Sequence, residues 1–312
     1  MIIKILGSAA GGGFPQWNCN GHNSRSVRAG KRGFQAATQS SIAVSRHRDA
    51  GEWVICNASP DIREQINANF ELQPHADGPL RNSPIAAVVL TNADVDHVAG
   101  LLSLREGQRF ALYGSERVLS TLSRNSIFDV LDSNTVARRI FALDHPVNLA
   151  GPSAQLGISL VPFVVPGKIA LYLEDANAGE HFGTEQGDTI GLKLSDAASG
   201  RSAFYIPGCA GVDARLAERL KGADLVLFDG TLFTDDEMIS EGLSHKTGRR
   251  MGHISMSGPD GSIAALSELG IGRRIFVHIN NSNPVLNATS EARKLVEAAG
   301  WEVAYDGMEL EL

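Results

Sequence analysis

Several side chains that could do chemistry crowd the end of one apolar segment. Ala86–Leu90 has the length and composition of a buried strand, and a polar stretch follows it. That stretch holds four candidate metal-binding or acid–base side chains: Asn92, Asp94, Asp96 and His97. Because sites in α/β proteins tend to lie at the carboxyl ends of strands, the segment predicts a functional site. A polar strand-to-helix turn capped by an aspartate also accounts for the same residues.

Polar groups also follow other strand-like segments. These further candidates are Asn57, Asp61, Cys209, Asp229, His253 in a glycine-flanked loop, and His278 with Asn280 after it. A lone histidine is more often structural, but three histidines in similar settings favour a shared site. We therefore expect a cleft at one edge of a sheet sandwich, with a metal where carboxylates and imidazoles meet.

The elements that must position these groups are mostly short strands. Ten apolar runs predict strands: Ile2–Leu6, Ser41–Val44, Trp53–Cys56, Ala86–Leu90, Phe110–Tyr113, Ile158–Val165, Ile169–Leu173, Ala203–Ile206, Leu225–Phe228 and Ile275–Ile279. Five segments with helical spacing lie between them: Pro60–Phe70, Ser115–Arg124, Asp213–Leu220, Pro259–Leu269 and Ser290–Ala299. We expect helix caps at Ser59, Ser115 and Ser290. The order predicts an α/β fold in which two packed sheets are flanked by helices, in a single domain over residues 1–312.

Composition and charge exclude several classes of protein. The chain has 312 residues, of which 43% are hydrophobic, so it can bury a sizeable core and is not disordered. A formal charge of −7 gives no electrostatic help to nucleic-acid binding. No apolar run approaches the ~18 residues of a membrane helix, and the first residues do not form a signal peptide. Three widely spaced cysteines argue against a disulfide scaffold. We expect a cytoplasmic protein without membrane insertion.

The polar stretch after the fourth predicted strand resembles a known motif. Thr91–Gly100 is similar to the T-H-x-H-x-D-H-x-x-G motif of the metallo-β-lactamase superfamily, with Asn92 and Asp94 in place of the two leading histidines. Further segments resemble the family of pyrroloquinoline quinone (PQQ) biosynthesis B proteins: Gly7–Cys19, Thr38–Ala43, Cys56–Ile62, Gly100–Glu106, Met251–Ile254 and His278–Asn281. The resemblance spans the chain and implies a metallo-β-lactamase-like αββα sandwich of two mixed sheets flanked by helices.

Departures from the superfamily pattern concern the first of its two metals. The resemblance places Asn92, Asp94 and Lys168 where that metal has histidines, and Cys209 where an aspartate bridges the two metals. A lysine ammonium repels a cation, so the resemblance implies that the first metal site is lost. The resemblance implies that the second site is kept, with three ligands: Asp96, His97 and His278.

Two histidines and one carboxylate suit more than one metal. This set with open positions is typical of non-haem Fe(II) oxygen chemistry, and similar sets bind Zn²⁺ in hydrolases. The resemblance implies PQQ biosynthesis and favours Fe(II). It implies an O2-using hydroxylase, an oxidoreductase that acts on the tyrosine ring of a Glu-Tyr-derived precursor.

The resemblance also suggests roles for residues around the metal. His253 and Asp229 are the candidate catalytic groups, because phenol oxidation releases protons. Four residues are candidates for binding the substrate, namely Lys168, Arg249, Arg250 and Asn280, although the loop 246–250 could equally be a solvated basic turn. Asn92, Asp94, Asp61 and Cys209 are candidates for supporting the metal ligands.

Two other functions stay open at this stage. A superfamily member that has lost its first metal could be a non-catalytic carrier that helps to transport PQQ or its precursor to the periplasm. A zinc hydrolase is the third reading, which the missing histidines disfavour. Cys19 and His22 are too few for a closed structural zinc site on their own. Other PQQ biosynthesis proteins and a second copy of the chain, in a homodimer, are the protein partners left open.

Overall fold

Two seven-stranded sheets form the centre of the molecule. The structure is a computed structural model and describes residues 1–152, 154–179 and 182–312. With strands numbered along the chain, the order of the first sheet is β14-β1-β2-β3-β4-β5-β6, and that of the second is β13-β12-β11-β10-β9-β8-β7. Strands β3 to β6 run parallel in the first sheet, as do β10 to β13 in the second, and the other neighbours are antiparallel. The sheets are mixed, as predicted.

The strands are short, and most are apolar. The first sheet contains β1 (Ile2–Gly7), β2 (Ser41–Ser45), β3 (Trp53–Cys56), β4 (Ile85–Val89), β5 (Phe110–Gly114), β6 (Val136–Ile140) and β14 (Glu309–Glu311). The second contains β7 (Val147–Ala150), β8 (Gln155–Val164), β9 (Ile190–Asp196), β10 (Ser202–Ile206), β11 (Leu225–Asp229), β12 (Arg273–Val277) and β13 (Glu302–Val303).

Helices cover the outer faces of both sheets. Within the described residues the α-helices are α1 (His22–Arg28), α2 (Ile62–Ala68), α3 (Val95–Val98), α4 (Glu116–Ser123), α5 (Ala214–Leu220), α6 (Glu237–Ser240), α7 (Gly248–Met251), α8 (Ser262–Ala265) and α9 (Glu291–Ala298). One apolar core lies between the sheets and takes side chains from both, such as Ile5 and Leu227. Two further cores join each sheet to its helices. The layers are helix, sheet, sheet and helix, which confirms the predicted fold class.

Some local predictions were wrong. Residues 169–173 form no strand but a loop with a 3-10 turn at Leu171–Leu173, and its three turn residues are not buried. The helix predicted over Pro259–Leu269 is reduced to α8, because Gly261 ends a turn before it. Ser59 does not cap α2, since the helix begins after Asp61 and the Ser59 hydroxyl instead accepts a hydrogen bond from the Asp61 N–H.

Two of the three predicted helix caps are present, at Ser115 and Ser290, and Asp213 caps a further helix. Ser115, Asp213 and Ser290 each accept a hydrogen bond from a backbone N–H of the first turn of α4, α5 and α9 respectively. No helix in the described ranges combines the length and the apolar character that a membrane crossing requires.

Candidate metal centre

A cavity of about 340 Å³ opens where the two sheets meet. Its walls come from the segments that follow six strands, namely β1, β4, β8, β10, β11 and β12. The loop after β1 joins the sheets there, because Ala9 forms bridges with both Gln39 and Ile279. The predicted cleft at the strand ends is therefore present, and a volume near 300 Å³ suits a small ligand.

Three side chains in this cavity form a group with metal-ligand spacing. Asp96, His97 and His278 offer ligand atoms that all lie within 4.8 Å of one another. The Asp96 Oδ2 atom lies 3.1 Å from His278 Nε2 and 3.8 Å from His97 Nε2. Asp96 and His97 belong to α3 beside the first sheet, whereas His278 follows β12 of the second. The structure thus brings together the three ligands that the resemblance implied.

The orientation of His97 leaves one ring nitrogen without a partner. Its Nδ1 lies 2.7 Å from Asn92 Oδ1, an acceptor, so Nδ1 carries the proton. Its Nε2 is buried and forms no hydrogen bond with any described residue. Burial lowers the pKa of His97 to about 4, so the ring is neutral near pH 7 and Nε2 keeps its lone pair. A buried lone pair of this kind needs a hydrogen-bond donor or a cation to satisfy it.

Thr231 fixes His278 in the matching form. The Thr231 hydroxyl donates to Asp229 Oδ1 at 2.6 Å, and it lies 2.9 Å from His278 Nδ1. Because the single hydroxyl proton goes to the carboxylate, His278 Nδ1 must donate to Thr231. His278 Nε2 then turns its lone pair toward the Asp96 carboxylate. His278 adopts a φ of 57°, which costs a non-glycine residue about 1–3 kcal/mol and recurs at functional sites.

This arrangement fits a divalent cation. Two imidazole lone pairs and a carboxylate oxygen converge on one point, where without a positive charge they repel one another. Although burial opposes ionisation of Asp96, the neighbouring His97 and His278 lower its pKa, so the carboxylate is charged. Two imidazoles and one carboxylate are a ligand set for Fe(II) or Zn²⁺.

A second candidate metal-binding group also contains His278, but the lone pairs of its carboxylate are occupied by hydrogen bonds. Asp229, His253 and His278 also lie within metal-binding distance of one another. However, Asp229 Oδ1 accepts from the backbone and the hydroxyl of Thr231, and Oδ2 accepts from the Cys209 N–H at 2.8 Å. Asp229 Oδ2 also lies 2.7 Å from His253 Nδ1. Asp229 therefore orients His253 and is not available as a ligand.

Charge stabilises the protonated form of His253. Burial opposes its charged form, but the Asp229 carboxylate and the more distant Asp94 and Asp96 outweigh burial and raise the pKa of His253. The pKa of Asp229 is shifted in the opposite direction. Burial alone would raise the pKa of its carboxyl, but contact with His253 outweighs burial and lowers it. His253 lines the cavity, as expected of a group that exchanges protons with a bound molecule.

The three residues at the first metal's positions also line the cavity. Asn92, Asp94 and Lys168 lie there, but none belongs to a metal-binding group among the described residues. Asp94 Oδ1 accepts from the Leu171 N–H at 3.2 Å. Burial, and then the charge of Asp96, raise the pKa of Asp94 to about 6. Asn92 supports His97 directly, as described above.

The predicted substrate-binding cations differ in their surroundings. Lys168 lines the cavity and is paired with Glu174, and Arg250 binds the same carboxylate at 2.8 Å. Arg249 lies outside the cavity wall, and its guanidinium is 3.6 Å from Asp260. Asn280 lines the cavity and donates to Ser282 at 2.6 Å.

Asp61 and Cys209 lie behind the cavity wall. Asp61 Oδ2 accepts from the backbone and side-chain N–H groups of Gln39, and Gln39 in turn accepts from the Gly12 N–H. Asp61 thus holds the glycine-rich loop after β1. Cys209 is buried, its N–H supports Asp229, and burial raises the pKa of its thiol.

Two residues that shape the site had little signal in the sequence. Thr231 contacts Asp229, His253 and His278 at once, and its only signal was its place two residues after the end of β11. Glu174 lies in the stretch after a segment predicted as a strand, which hid its pairing with Lys168. Cys19 and His22 join no metal-binding group in the described part of the chain.

Comparisons with known proteins agree with this fold. A model of the "Beta-lactamase superfamily domain" matches residues 52–279. A diphosphatase of the PhnP family has the same fold, with a TM-score of 0.68, 21% identity, and coverage of 100% of this chain and 96% of the other.

More similar proteins share one name. Coenzyme PQQ synthesis protein B of Xanthomonas axonopodis pv. citri is 50% identical, and that of Methylorubrum extorquens is 51% identical, each over 100% of both chains. The crystal structure of Zn²⁺-bound PqqB from Methylobacterium extorquens matches with a TM-score of 0.93 and 50% identity over 100% of both chains. The chain is a member of the coenzyme PQQ synthesis protein B family, within the β-lactamase superfamily.

Proposed function

We propose that this protein acts in PQQ biosynthesis as a metal-dependent oxygenase that hydroxylates the tyrosine ring of a Glu-Tyr-derived precursor. The observation that supports it best is the open ligand set at the cavity: Asp96, His97 and His278, with the unpartnered Nε2 of His97. Full-length relatives carry the name of this pathway.

The reaction needs a metal, O2 and a reductant. Asp96, His97 and His278 would hold Fe(II), which supplies O2 activation when bound. One oxygen atom of O2 enters an aromatic C–H bond to give a catechol. The other leaves as water, with two electrons and two protons from an external reductant.

Residues of the chain orient the two metal-binding imidazole rings and move protons. Asn92 and Thr231 fix the ring tautomers of His97 and His278. His253, held by Asp229, lies in the cavity wall and would take the proton that the phenol releases. Apolar side chains of the wall, such as Leu171 and Met238, exclude water from one side of the substrate.

Zinc is the competing occupant of the same ligands. The related crystal structure is described as Zn²⁺-bound, and two imidazoles with a carboxylate also bind Zn²⁺ in hydrolases. Fe(II) is proposed here because hydroxylation requires a metal that activates O2, whereas Zn²⁺ has no redox chemistry.

The test compares the two metals in one preparation. Metal-free protein is loaded anaerobically with Fe(II) or Zn²⁺ and then given Glu-Tyr, a reductant and O2. Mass spectrometry of a product that has gained one oxygen atom only with Fe(II), together with O2 consumption, supports the proposal. If neither metal supports turnover and the protein binds PQQ tightly, the carrier function would replace this proposal.

A further inference from the structure

We propose that Lys246 anchors a carboxylate of the substrate at the cavity, so that this site selects anionic substrates. This inference deepens the proposed function and depends on it only for the position of the substrate ring that reacts. Four cationic side chains lie in or near the cavity wall: Lys168, Lys246, Arg249 and Arg250. Each of them except Lys246 forms an ion pair with a carboxylate of the described residues.

Glu174 occupies two of those cations. Its carboxylate pairs with Lys168 through Oε1 and with Arg250 through Oε2 at 2.8 Å. Its side chain is largely buried, and these contacts lower the pKa of Glu174 to about 2, with the Arg250 hydrogen bond as the largest cause. Arg250 also lies 3.8 Å from the centre of the Phe182 ring. Lys168 is therefore neutralised inside the cavity wall.

Arg249 is directed away from the cavity. It is not part of the wall, its side chain is largely exposed, and its nearest carboxylate is that of Asp260. Its backbone has a structural role, because the Arg249 N–H donates to Asp235 Oδ1 at 2.8 Å. A surface ion pair of this kind contributes little energy. Arg249 is therefore not a candidate for binding a ligand in the cavity.

Lys246 lines the cavity and is unpaired. It is half-buried, and no carboxylate oxygen of residues 1–152, 154–179 or 182–312 lies within the 4.0 Å of its ammonium nitrogen that defines an ion pair. The cavity also holds Asp96, whose carboxylate would be engaged by a bound divalent metal, and Asp94, whose Oδ1 accepts from the Leu171 N–H. Lys246 is then the cation that a substrate carboxylate finds without a competing partner.

The backbone fixes Lys246 relative to His253. Helix α7 lies between them, with its start capped by the Thr247 hydroxyl and held by Asp235. At its end Gly252 has a φ of 89°, and a Cβ atom there would lie 2.9 Å from Lys168 Cβ. This short helix places the anchor and the proton acceptor on one wall, so a phenol near His253 and a carboxylate near Lys246 can belong to one molecule.

The experiment measures binding without turnover. Zn²⁺-loaded protein is titrated calorimetrically with Glu-Tyr and with an analogue that has no carboxylate, Gln-Tyr amide. Loss of a charge-assisted hydrogen bond predicts that Lys246→Met weakens Glu-Tyr binding by about 10-fold or more and leaves the affinity for the carboxylate-free analogue within about 2-fold. Lys246→Arg keeps the charge and should bind Glu-Tyr like the parent. Lys221→Met, at an exposed lysine beyond α5, is the matched control and should change neither affinity.

Three results would overturn the anchor. These are an unchanged Glu-Tyr affinity in Lys246→Met, an equal loss for both ligands, or no binding of Glu-Tyr to the parent protein. The hydroxylation proposal fails separately: if Lys246 controls Glu-Tyr affinity but the Fe(II)-loaded protein adds no oxygen, the anchor stands and the reaction does not.

Discussion

At the scale of single residues, the centre depends on which ring nitrogen carries each proton. Asn92 and Thr231 each occupy an Nδ1 and so leave an Nε2 lone pair on His97 and His278. Neither supporting residue would need to touch a bound metal. Hydrogen bonds of this type orient metal ligands and raise their affinity.

Removing a ligand should remove the metal without unfolding the chain. His97→Ala deletes the unpartnered nitrogen, and we expect stoichiometric metal binding to be lost because only His278 and Asp96 remain. Metal content after dialysis and the circular dichroism spectrum together check this. His145→Ala, at an exposed histidine, is the control and should retain full metal content. Stoichiometric, tight iron in His97→Ala would disprove the ligand assignment.

Replacing Thr231 should weaken the metal site without deleting a ligand. Thr231→Val keeps the shape but loses the hydroxyl that accepts from His278 Nδ1, so we expect the metal dissociation constant to rise about 10- to 100-fold. Thr231→Ser restores the hydroxyl and should recover most of the affinity. Competition with a chromogenic chelator measures both. Equal affinities for the Val variant and the parent would show that Thr231 does not position His278.

At the scale of elements, helix α6 carries a buried acid that lines a cavity other than the metal cavity. Glu237 accepts from the Phe233 N–H at 2.7 Å and from the Ser282 hydroxyl at 2.5 Å, and it has no ion-pair partner within the described residues. Burial is the largest cause that raises its pKa to about 7. Because the folded state then binds a proton more tightly than the unfolded chain, stability is lost as pH rises from about 4.5 to about 7.

Glu237→Gln should remove this pH dependence. The shift from 4.5 to about 7 corresponds to about 3 kcal/mol, so the variant should gain roughly that much unfolding free energy relative to the parent between pH 4.5 and 8. Urea unfolding of both proteins across this range is the measurement. Asp260→Gln, at an exposed acid, is the control. A constant stability difference between Glu237→Gln and the parent at every pH would refute this account of the helix.

Element prediction succeeded where the hydrophobic pattern was strong. Nine of the ten predicted strands are present to within a few residues. Their apolar side chains are buried between the two sheets or between a sheet and its helices. The interior strand β9 was missed, and so were all four edge strands: β7, β14, β6, which carries two arginines, and β13, which has only two residues. The pairing of the edge strands comes from a neighbouring strand and leaves little pattern in their own sequence.

The segment 169–173 shows the opposite error. Its apolar residues predicted a strand, yet three of them are exposed beside the cavity, where Tyr172 donates to the Ala93 carbonyl and Leu171 N–H donates to Asp94. The wall of a binding cavity can be apolar without being part of a sheet. The periodicity of a short run does not separate these two cases.

At the scale of the whole molecule, the metal would connect the two sheets. Asp96 and His97 lie beside the first sheet and His278 follows a strand of the second. The sequence could predict these residues because each ends or follows an apolar run. It could not predict that Glu174 neutralises Lys168 or that Asp229 is occupied by Thr231 and Cys209, because these contacts depend on loop conformations that leave no periodic pattern in the sequence.

Metal binding should therefore stabilise the fold. Free metal at 100 times its dissociation constant contributes about 3 kcal/mol, so removal with a chelator should lower the melting temperature by several degrees. Scanning calorimetry of the parent and of His97→Ala, each with and without chelator, measures the difference. The variant should show no change on chelation. An equal shift in both proteins would mean that the stabilising metal binds elsewhere.

The most direct measurement of the central claim follows the oxygen atom itself. Fe(II)-loaded protein is given Glu-Tyr and a reductant under dioxygen enriched in the heavy isotope, and the product is analysed by mass spectrometry. The account predicts one heavy oxygen on the aromatic ring, and none with His278→Ala under the same conditions. A product whose new oxygen comes from water, or equal labelling in the variant, would contradict oxygenation at this metal centre.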